Sequence, residues 1–354
     1  MTTHRVPLAL PRGPLMADVG GLVLTKVERD RLRHPLVGGV ILFARNFADS
    51  EQLAALTAEI HALREPSLLI AVDHEGGRVQ RFRDRGFTHL PPMRTLGRKW
   101  DEDHVAALDC ARATGYVLAA ELLAHGVDLS FTPVLDLDYG GSRVIGDRAF
   151  HRDPQVVSGL ASALVAGMRE AGMGCVGKHF PGHGFVEADS HVDLPVDSRD
   201  FDTIWAEDIA PYRHRIGRQL SGVMPAHVIY DKVDTQPAGF SKFWLGDVLR
   251  GRLGFQGLIF SDDLTMEGAS VAGDIVARAE AATAAGCDMV LVCNRPEQVD
   301  ELVGRWRPDV PATSAARIAA LRGRARYIDA LELELAESYH HARAQVAALA
   351  SDPA

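Results

Sequence analysis

The chain has 354 residues, 47% hydrophobic and 24% charged, a balance that supports a large buried core and excludes a chain dominated by disorder. Its 47 acidic residues outnumber 38 basic ones for a net charge of −9, and no stretch groups Lys and Arg into a stripe, so nucleic acid is excluded as a partner. No apolar run approaches the ~18 residues that span a bilayer, which excludes a membrane partner.

The N-terminus is interrupted by Pro7, Pro11, Arg12 and Pro14 and lacks the unbroken apolar core of a signal peptide. Short apolar runs with strand character then follow in order: Pro14–Asp18, Gly39–Phe43, Leu68–Asp73, Val127–Pro133, Gly174–Lys178, Gly222–Ala226, Gly257–Ser261 and Asp288–Val292. Between them lie helical periodicities, such as Leu53, Leu56, Ile60 and Leu63, or the alanine-rich Val276–Ala285. Eight alternating β and α units predict an α/β fold, a single (β/α)₈ barrel of the triosephosphate isomerase type. An open doubly wound sheet is the rival, but no G-x-G-x-x-G opens a helix after the first strand.

The barrel is expected to run from about residue 14 to 310. The segment from about 311 to 354, rich in Ala, Arg, Leu and Glu, reads as helices packed on its exterior. No linker or low-complexity tract divides the chain, so residues 1–354 are read as one catalytic domain. Cys110, Cys175, Cys287 and Cys293 show no CxxC spacing, and the expected protein is reduced and cytoplasmic.

A barrel of this kind places chemistry just past the C-terminal ends of its strands, and polar residues recur there: Asp73, His74, Lys178, His179, His227, Asp262, Asp263 and Asn294. Asp73 can accept hydrogen bonds from vicinal hydroxyls and Arg81 can donate to a substrate oxygen, while Glu75 and Arg78, three apart, can simply pair with each other. Arg148, in the Gly146–Phe150 loop, offers a guanidinium to the mouth, or else sits on a solvated loop. Lys178 and His179 end a run that reads as buried, where a lysine requires a partner or a ligand.

The glycine-broken loop that follows packs His179, His183 and His191 with Glu187 and Asp189. Asp189 stands two positions from His191, so the carboxylate can orient the ring and favour its cation, making His191 a candidate proton shuttle. Gly182 and Gly184 are candidate hinges for closing the loop over a ligand. In Gly257–Asp263 side chains alternate, so Leu258, Phe260 and Asp262 share one face. If that face is the barrel interior, Asp262 projects into the mouth, where a carboxylate can attack an electrophilic carbon or balance positive charge; the competing use of the Asp262-Asp263 pair is to cap the next helix.

The motifs DHEGGRVQRF, GDRAF, KHFPGHG, DSH and FSDDLTMEGA, in that order, are similar to those of glycoside hydrolase family 3, within it the bacterial cytoplasmic β-N-acetylhexosaminidases of peptidoglycan recycling. The resemblance covers nearly the whole barrel. It implies that Asp262 is the nucleophile of a retaining exo-β-N-acetylglucosaminidase, His191 the general acid/base and Asp189 its dyad partner. It implies further that Asp73, Arg81, Arg148, Lys178 and His179 bind the N-acetylglucosamine ring. The substrate would be a small molecule, a muropeptide or a chitobiose-like sugar such as N-acetylglucosaminyl-1,6-anhydro-N-acetylmuramic acid with or without peptide. No cofactor and no metal are called for, and the protein would act as a monomer. Many relatives carry a second α/β domain with a glutamate acid/base; this chain has no room for it, and the DSH loop stands in its place.

Four other readings stay open on the residues alone. The substrate's own acetamido group could be the nucleophile, although that mechanism normally wants an adjacent Asp-Glu pair beside the sugar and here the pair is Asp262-Asp263. A glycoside phosphorylase could use the same intermediate. A metal-dependent barrel hydrolase would draw on His74, His179, His183, His191 and His227. A sugar-binding protein on a retired barrel would keep the pocket without turnover. Asp263, Glu187 and His183 receive no assignment.

Overall fold

The computed structural model describes residues 8–187, 194–327 and 329–351. Eight parallel strands close into a barrel: β1 Leu15–Asp18, β2 Val37–Leu42, β3 Leu69–Val72, β4 Leu129–Ser130, β5 Gly174–Phe180, β6 Gly222–Pro225, β7 Leu258–Asp263 and β8 Met289–Val292. Each strand pairs with its sequence neighbours, and β8 returns to β1 with Val290 opposite Leu15. Parallel strands buried on both faces read as continuous apolar runs, which is why all eight were visible in the sequence.

The strand boundaries differ from the apolar runs by one to three residues. β4 is shorter, because Pro133 has no N–H to continue a ladder. β7 is longer: the ladder carries through Asp262 and Asp263, so both acids are strand residues and neither begins the helix as its cap.

The period of two sorts side chains between two cores. Met16, Ile41, Leu69, Ala71, Leu129, Phe131, Val176, Met224, Leu258 and Phe260 fill the barrel interior, while Leu15, Val40, Leu42, Ile70, Val72 and Ile259 face the surrounding helices. Phe131 and Phe260 meet edge-to-face at 5.1 Å on the interior axis, so the barrel is plugged beneath its mouth.

The helical layer begins with α1 Lys26–Leu32, held by a Thr25/Glu28 capping box, and α2 Ser50–His61, capped by Asp49. It continues with α3 Met93–Glu102, the long α4 His104–Ala124 and α5 Pro154–Ala171. None of the described helices is long and apolar enough to cross a membrane.

The C-terminal helices take two positions. Residues Glu337–Ser351 lie outside the barrel against α4, burying Tyr339, Ala342 and Val346, as expected. The helix Ala312–Ala320 instead reaches the bottom of the barrel, where Ile318 and Leu321 join the interior cluster and the buried Arg12 donates to the Leu321 carbonyl at 2.8 Å.

The outer contact carries a titratable group. Glu121 of α4 is fully buried and accepts from the Thr88 N–H (2.9 Å), the Thr88 hydroxyl (2.5 Å) and the Tyr339 hydroxyl (2.8 Å). Burial outweighs these bonds and pushes its pKa up to about 7 from 4.5. The folded state therefore holds a proton that the unfolded chain releases, so this contribution is present below about pH 4.5 and lost as pH rises through about 7. Glu121→Gln can keep every bond, with its amide donating to the two hydroxyls. It is expected to be more stable than wild type at pH 8 by on the order of 2–3 kcal/mol, the gap closing by pH 5, as read from urea midpoints at the two pH values.

Candidate active site

The mouth of the barrel opens into a cavity of about 440 Å³. Its floor is apolar, made by Ile41, Phe131, Met224 and Leu291, and its walls carry Asp73, Arg81, Arg148, Lys178, His179 and Asp262. All six of these sequence candidates are thus brought together. His191 and Asp189 lie outside the described residues.

Asp73 follows β3 directly, and the chain then turns through a short antiparallel hairpin, His74–Gly76 against Val79–Gln80. This hairpin separates Glu75 from Arg78. Arg78 reaches across to Asp147 at 3.3 Å and to the carbonyls of Arg143 and Val144, and so props the Gly146–Arg148 turn. The local Glu75–Arg78 pair read from the spacing does not form.

Glu75 is instead the hub of the charged wall. It is 1% exposed and grips the Arg148 guanidinium in a two-pronged contact, with Nε and Nη2 each at 2.8 Å. Its Oε1 also lies 2.6 Å from Lys178 Nζ, which makes a second contact to Asp73 at 2.8 Å. Arg81 approaches Asp73 at 3.6 Å. Arg148 is therefore no solvated loop residue, and Lys178 has the partners its burial demands.

The titration behaviour follows from this arrangement. Burial alone would protonate Glu75, but Arg148 and Lys178 outweigh it and hold the carboxyl far below the usual range. Burial likewise works against the Lys178 ammonium, and Asp73 with Glu75 reverses the effect and raises its pKa. Arg148 is raised in the same way by Glu75. Glu75, Arg148 and Lys178 thus hold one another in their charged forms at neutral pH.

His179 is oriented from behind by Asp136, a fully buried carboxylate that sequence reasoning missed. Asp136 Oδ2 lies 2.7 Å from His179 Nδ1, and its oxygens accept from the His179 N–H (3.2 Å) and the His183 N–H (2.7 Å). A carboxylate at Nδ1 fixes the proton there and leaves Nε2 as the other ring nitrogen of this cavity-lining histidine. Despite its burial, Asp136 is kept below the ordinary carboxylate range, chiefly by His179. An acid inside the apolar stretch after β4 was the available signal.

The loop start is fixed more firmly than hinges would be. Gly182 abuts Asp208 and Gly184 abuts the Leu137 carbonyl, where an added Cβ would lie 2.6 and 1.9 Å away, respectively. The Gly182 carbonyl also accepts from the Tyr230 hydroxyl at 2.8 Å. These two glycines permit the close approach of the Asp208 side chain and the Leu137 carbonyl, and nothing in their contacts marks a hinge.

Asp262 continues the inward face behind Leu258 and Phe260, and its Oδ1 accepts from the Asp263 N–H at 2.8 Å. Asp263 turns to a structural task. Its carboxylate accepts from the N–H groups of Thr265 (3.0 Å) and Cys293 (3.2 Å) and from the Thr265 hydroxyl (2.8 Å), tying β7 to β8. Burial pushes Asp263 up to about 6. From below, His227 Nε2 meets the Asp263 carbonyl at 3.1 Å.

His183 lines the same cavity, its ring centroid 5.9 Å from that of His179. The other two described histidines of the metal reading lie apart from them, His74 packing against Phe82 and Phe87 and His227 against Phe240. Among the described residues, no group of three or more His, Cys, Asp or Glu is arranged to hold a metal ion.

A barrel mouth that sets a carboxylate at a strand end against a wall of charged, hydrogen-bonding side chains is the architecture of a barrel glycosidase. Residues 15–315 match the family model described as the glycosyl hydrolase family 3 N-terminal domain, and the chain belongs to that family. It is a glycoside hydrolase. It is 71% identical over 344 residues to a protein of Aromatoleum aromaticum named beta-hexosaminidase, covering 97% of each chain. The crystal structure of native NagZ from Neisseria gonorrhoeae superposes with a TM-score of 0.92 at 53% identity, covering 98% of this chain and 100% of that one. The same protein in complex with N-trifluoroacetyl-D-glucosamine gives a TM-score of 0.92 at 52% identity, covering 98% of this chain and 100% of that one.

Proposed function

We propose that this chain is a retaining exo-β-N-acetylglucosaminidase. It removes terminal β-linked N-acetylglucosamine from peptidoglycan fragments, N-acetylglucosaminyl-1,6-anhydro-N-acetylmuramic acid with or without peptide, and works in the cytoplasm as a monomeric, single catalytic unit. The observation that carries the reading is the convergence of Asp262 with Asp73, Arg81, Arg148, Lys178 and His179 on one cavity of about 440 Å³, a size suited to a small sugar. The beta-hexosaminidase relatives and the Neisseria structure holding an N-acylated glucosamine support the choice of sugar. The four cysteines are all free thiols, in keeping with a reducing compartment.

In this mechanism Asp73, Lys178 and Arg148 hold the ring hydroxyls, with Arg81 and His179 completing the grip. A carboxylate oxygen of Asp262 attacks the anomeric carbon as the glycosidic C–O bond breaks, and His191, as the imidazolium, gives its proton to the departing oxygen. A covalent glycosyl-Asp262 results. His191, now neutral, takes a proton from water, whose oxygen attacks the same carbon and releases Asp262. An imidazole serves both steps near neutral pH because its ordinary pKa is about 6.5. Asp189 holds the ring and favours the cation, as the acid of a hydrolytic triad does.

The test is intact-protein mass spectrometry after incubation with a 5-fluoro-N-acetylglucosaminyl donor, followed by peptide mapping. A hexosamine-sized adduct on Asp262 is the expected result. Turnover of a chromogenic N-acetylglucosaminide without any adduct would instead indicate that the substrate's acetamido group is the nucleophile.

A further inference from the structure

The acid proposed as nucleophile stands where the barrel ladder breaks step. Phe260 pairs with Met289 and Asp263 with Leu291, so β7 advances three residues while β8 advances two. One extra residue in one strand of a pair is a β-bulge, which bends the strand and re-aims the side chains at the break. The effect is visible in the lining of the cavity. Asp262 and Asp263, neighbours that strict alternation would send to opposite faces, both reach it.

Two side chains hold this bulge, one from each neighbouring strand. On the β8 side, the Ser261 hydroxyl accepts from the Leu291 N–H at 3.0 Å. On the β6 side, the ladder pairs Gly222 with Leu258 and Val223 with Ile259, and Pro225, which has no N–H, closes the strand. His227, just past Pro225, then takes up the contact: its Nε2 lies 3.1 Å from the Asp263 carbonyl. A carbonyl can only accept, so Nε2 carries the proton, and burial, which lowers the pKa of the ring, keeps it neutral. Ser261 and His227 are both 0% exposed, and neither is among the residues that line the cavity.

These two bonds bracket Asp262. Ser261 precedes it, and His227 grips the carbonyl of the residue that follows it, whose N–H in turn donates to Asp262 Oδ1 at 2.8 Å. Attack on a carbon needs the reacting atoms aligned and within about 3–3.5 Å, and a misplacement of about 1 Å costs on the order of 10²-fold in rate. Resting on the function proposed above, we infer that Ser261 and His227 are positioning residues for Asp262, clamping the bulge that aims the nucleophile at the anomeric carbon. Neither touches a reacting atom. Each bonds to backbone, so cutting either bond removes no group from the cavity wall.

A misplaced nucleophile slows bond formation and leaves sugar binding alone. In the full-length protein, adduct formation from a saturating 5-fluoro-N-acetylglucosaminyl donor is followed against time by intact-protein mass spectrometry, and its competitive inhibition by N-acetylglucosamine measures binding. Ser261→Ala is expected to lower the first-order rate constant of adduct formation by about 30-fold and to change the inhibition constant by less than about 3-fold. His227→Phe, which keeps a ring beside Phe240 and loses the donor, should do the same. His227→Gln, whose amide can still donate, should form the adduct faster than His227→Phe, and this pair decides the matter if Ser261→Ala fails to fold. A rise in the inhibition constant as large as the fall in rate would mean a general structural role and overturn the inference. The wild-type protein separates the inference from the reading beneath it. An adduct on Asp262 that forms in the variants at within about 3-fold of the wild-type rate removes the inference alone. No adduct on Asp262 in wild type removes the nucleophile assignment and the inference with it.

Discussion

Asp262→Ala is expected to abolish turnover of a β-N-acetylglucosaminide, lowering kcat by about 10⁴-fold or more, the scale seen when a covalent nucleophile is removed from a hydrolase. The carboxylate stands one residue before the end of β7 on the inward face behind Phe260, and the Asp263 N–H orients one of its oxygens, so the substitution removes the proposed attacking atom while the strand keeps its ladder. Loss of activity alone would not identify the role, but stereochemistry does. With the carboxylate gone, azide can occupy the vacated space and attack the anomeric carbon of an activated β-glycoside directly. One displacement from that face yields the α-glycosyl azide. His191→Ala, by contrast, keeps Asp262, so azide intercepts the covalent intermediate and yields the β-glycosyl azide. Proton NMR of the products separates the two outcomes, and a β-azide from Asp262→Ala would remove Asp262 from the nucleophile's role.

Much of this site was legible because parallel barrels put chemistry at a predictable place. Asp73, Lys178 and Asp262 each stand at or beside a strand end, so finding the strands located them. The parity of Gly257–Asp263 also held, since Leu258 and Phe260 do face the interior. What failed was partner choice. Glu75 and Arg78 look like a local pair, yet the hairpin sends one to Arg148 and Lys178 and the other to Asp147, contacts separated by 73 and 69 residues. Asp136 was overlooked because a buried acid in an apolar run shows its purpose only when the imidazole it orients is folded against it. Gly182 and Gly184 were read as candidate hinges because a sequence cannot distinguish a glycine that frees the chain from one that lets a neighbour approach, here the Asp208 side chain and the Leu137 carbonyl. Likewise, the helix Ala312–Ala320 carries the same apolar pattern whether it covers the outside of a barrel or plugs its bottom.

Glu75→Ala should be the most destabilising single change in the cavity, costing about 3–5 kcal/mol at pH 7, because it leaves buried cations without their counter-charge. Lys178 is 2% exposed and would retain only Asp73, while Arg148 would lose both prongs of its fork. The pH dependence identifies the cause. Glu75 has a folded pKa far below 4.5, so its contribution is fully present above about pH 4.5 and is lost as pH falls toward the folded value. Urea denaturation followed by tryptophan fluorescence should therefore show a gap between wild type and Glu75→Ala that is constant from pH 8 to about pH 5 and shrinks below it. A gap that stayed the same at pH 3.5 would mean that the cost came from the lost side-chain volume. A gap that closed would mean that the charged wall of the cavity and the fold rest on the same buried carboxylate, which ties the low-pH limit of stability to the residues proposed to hold the sugar.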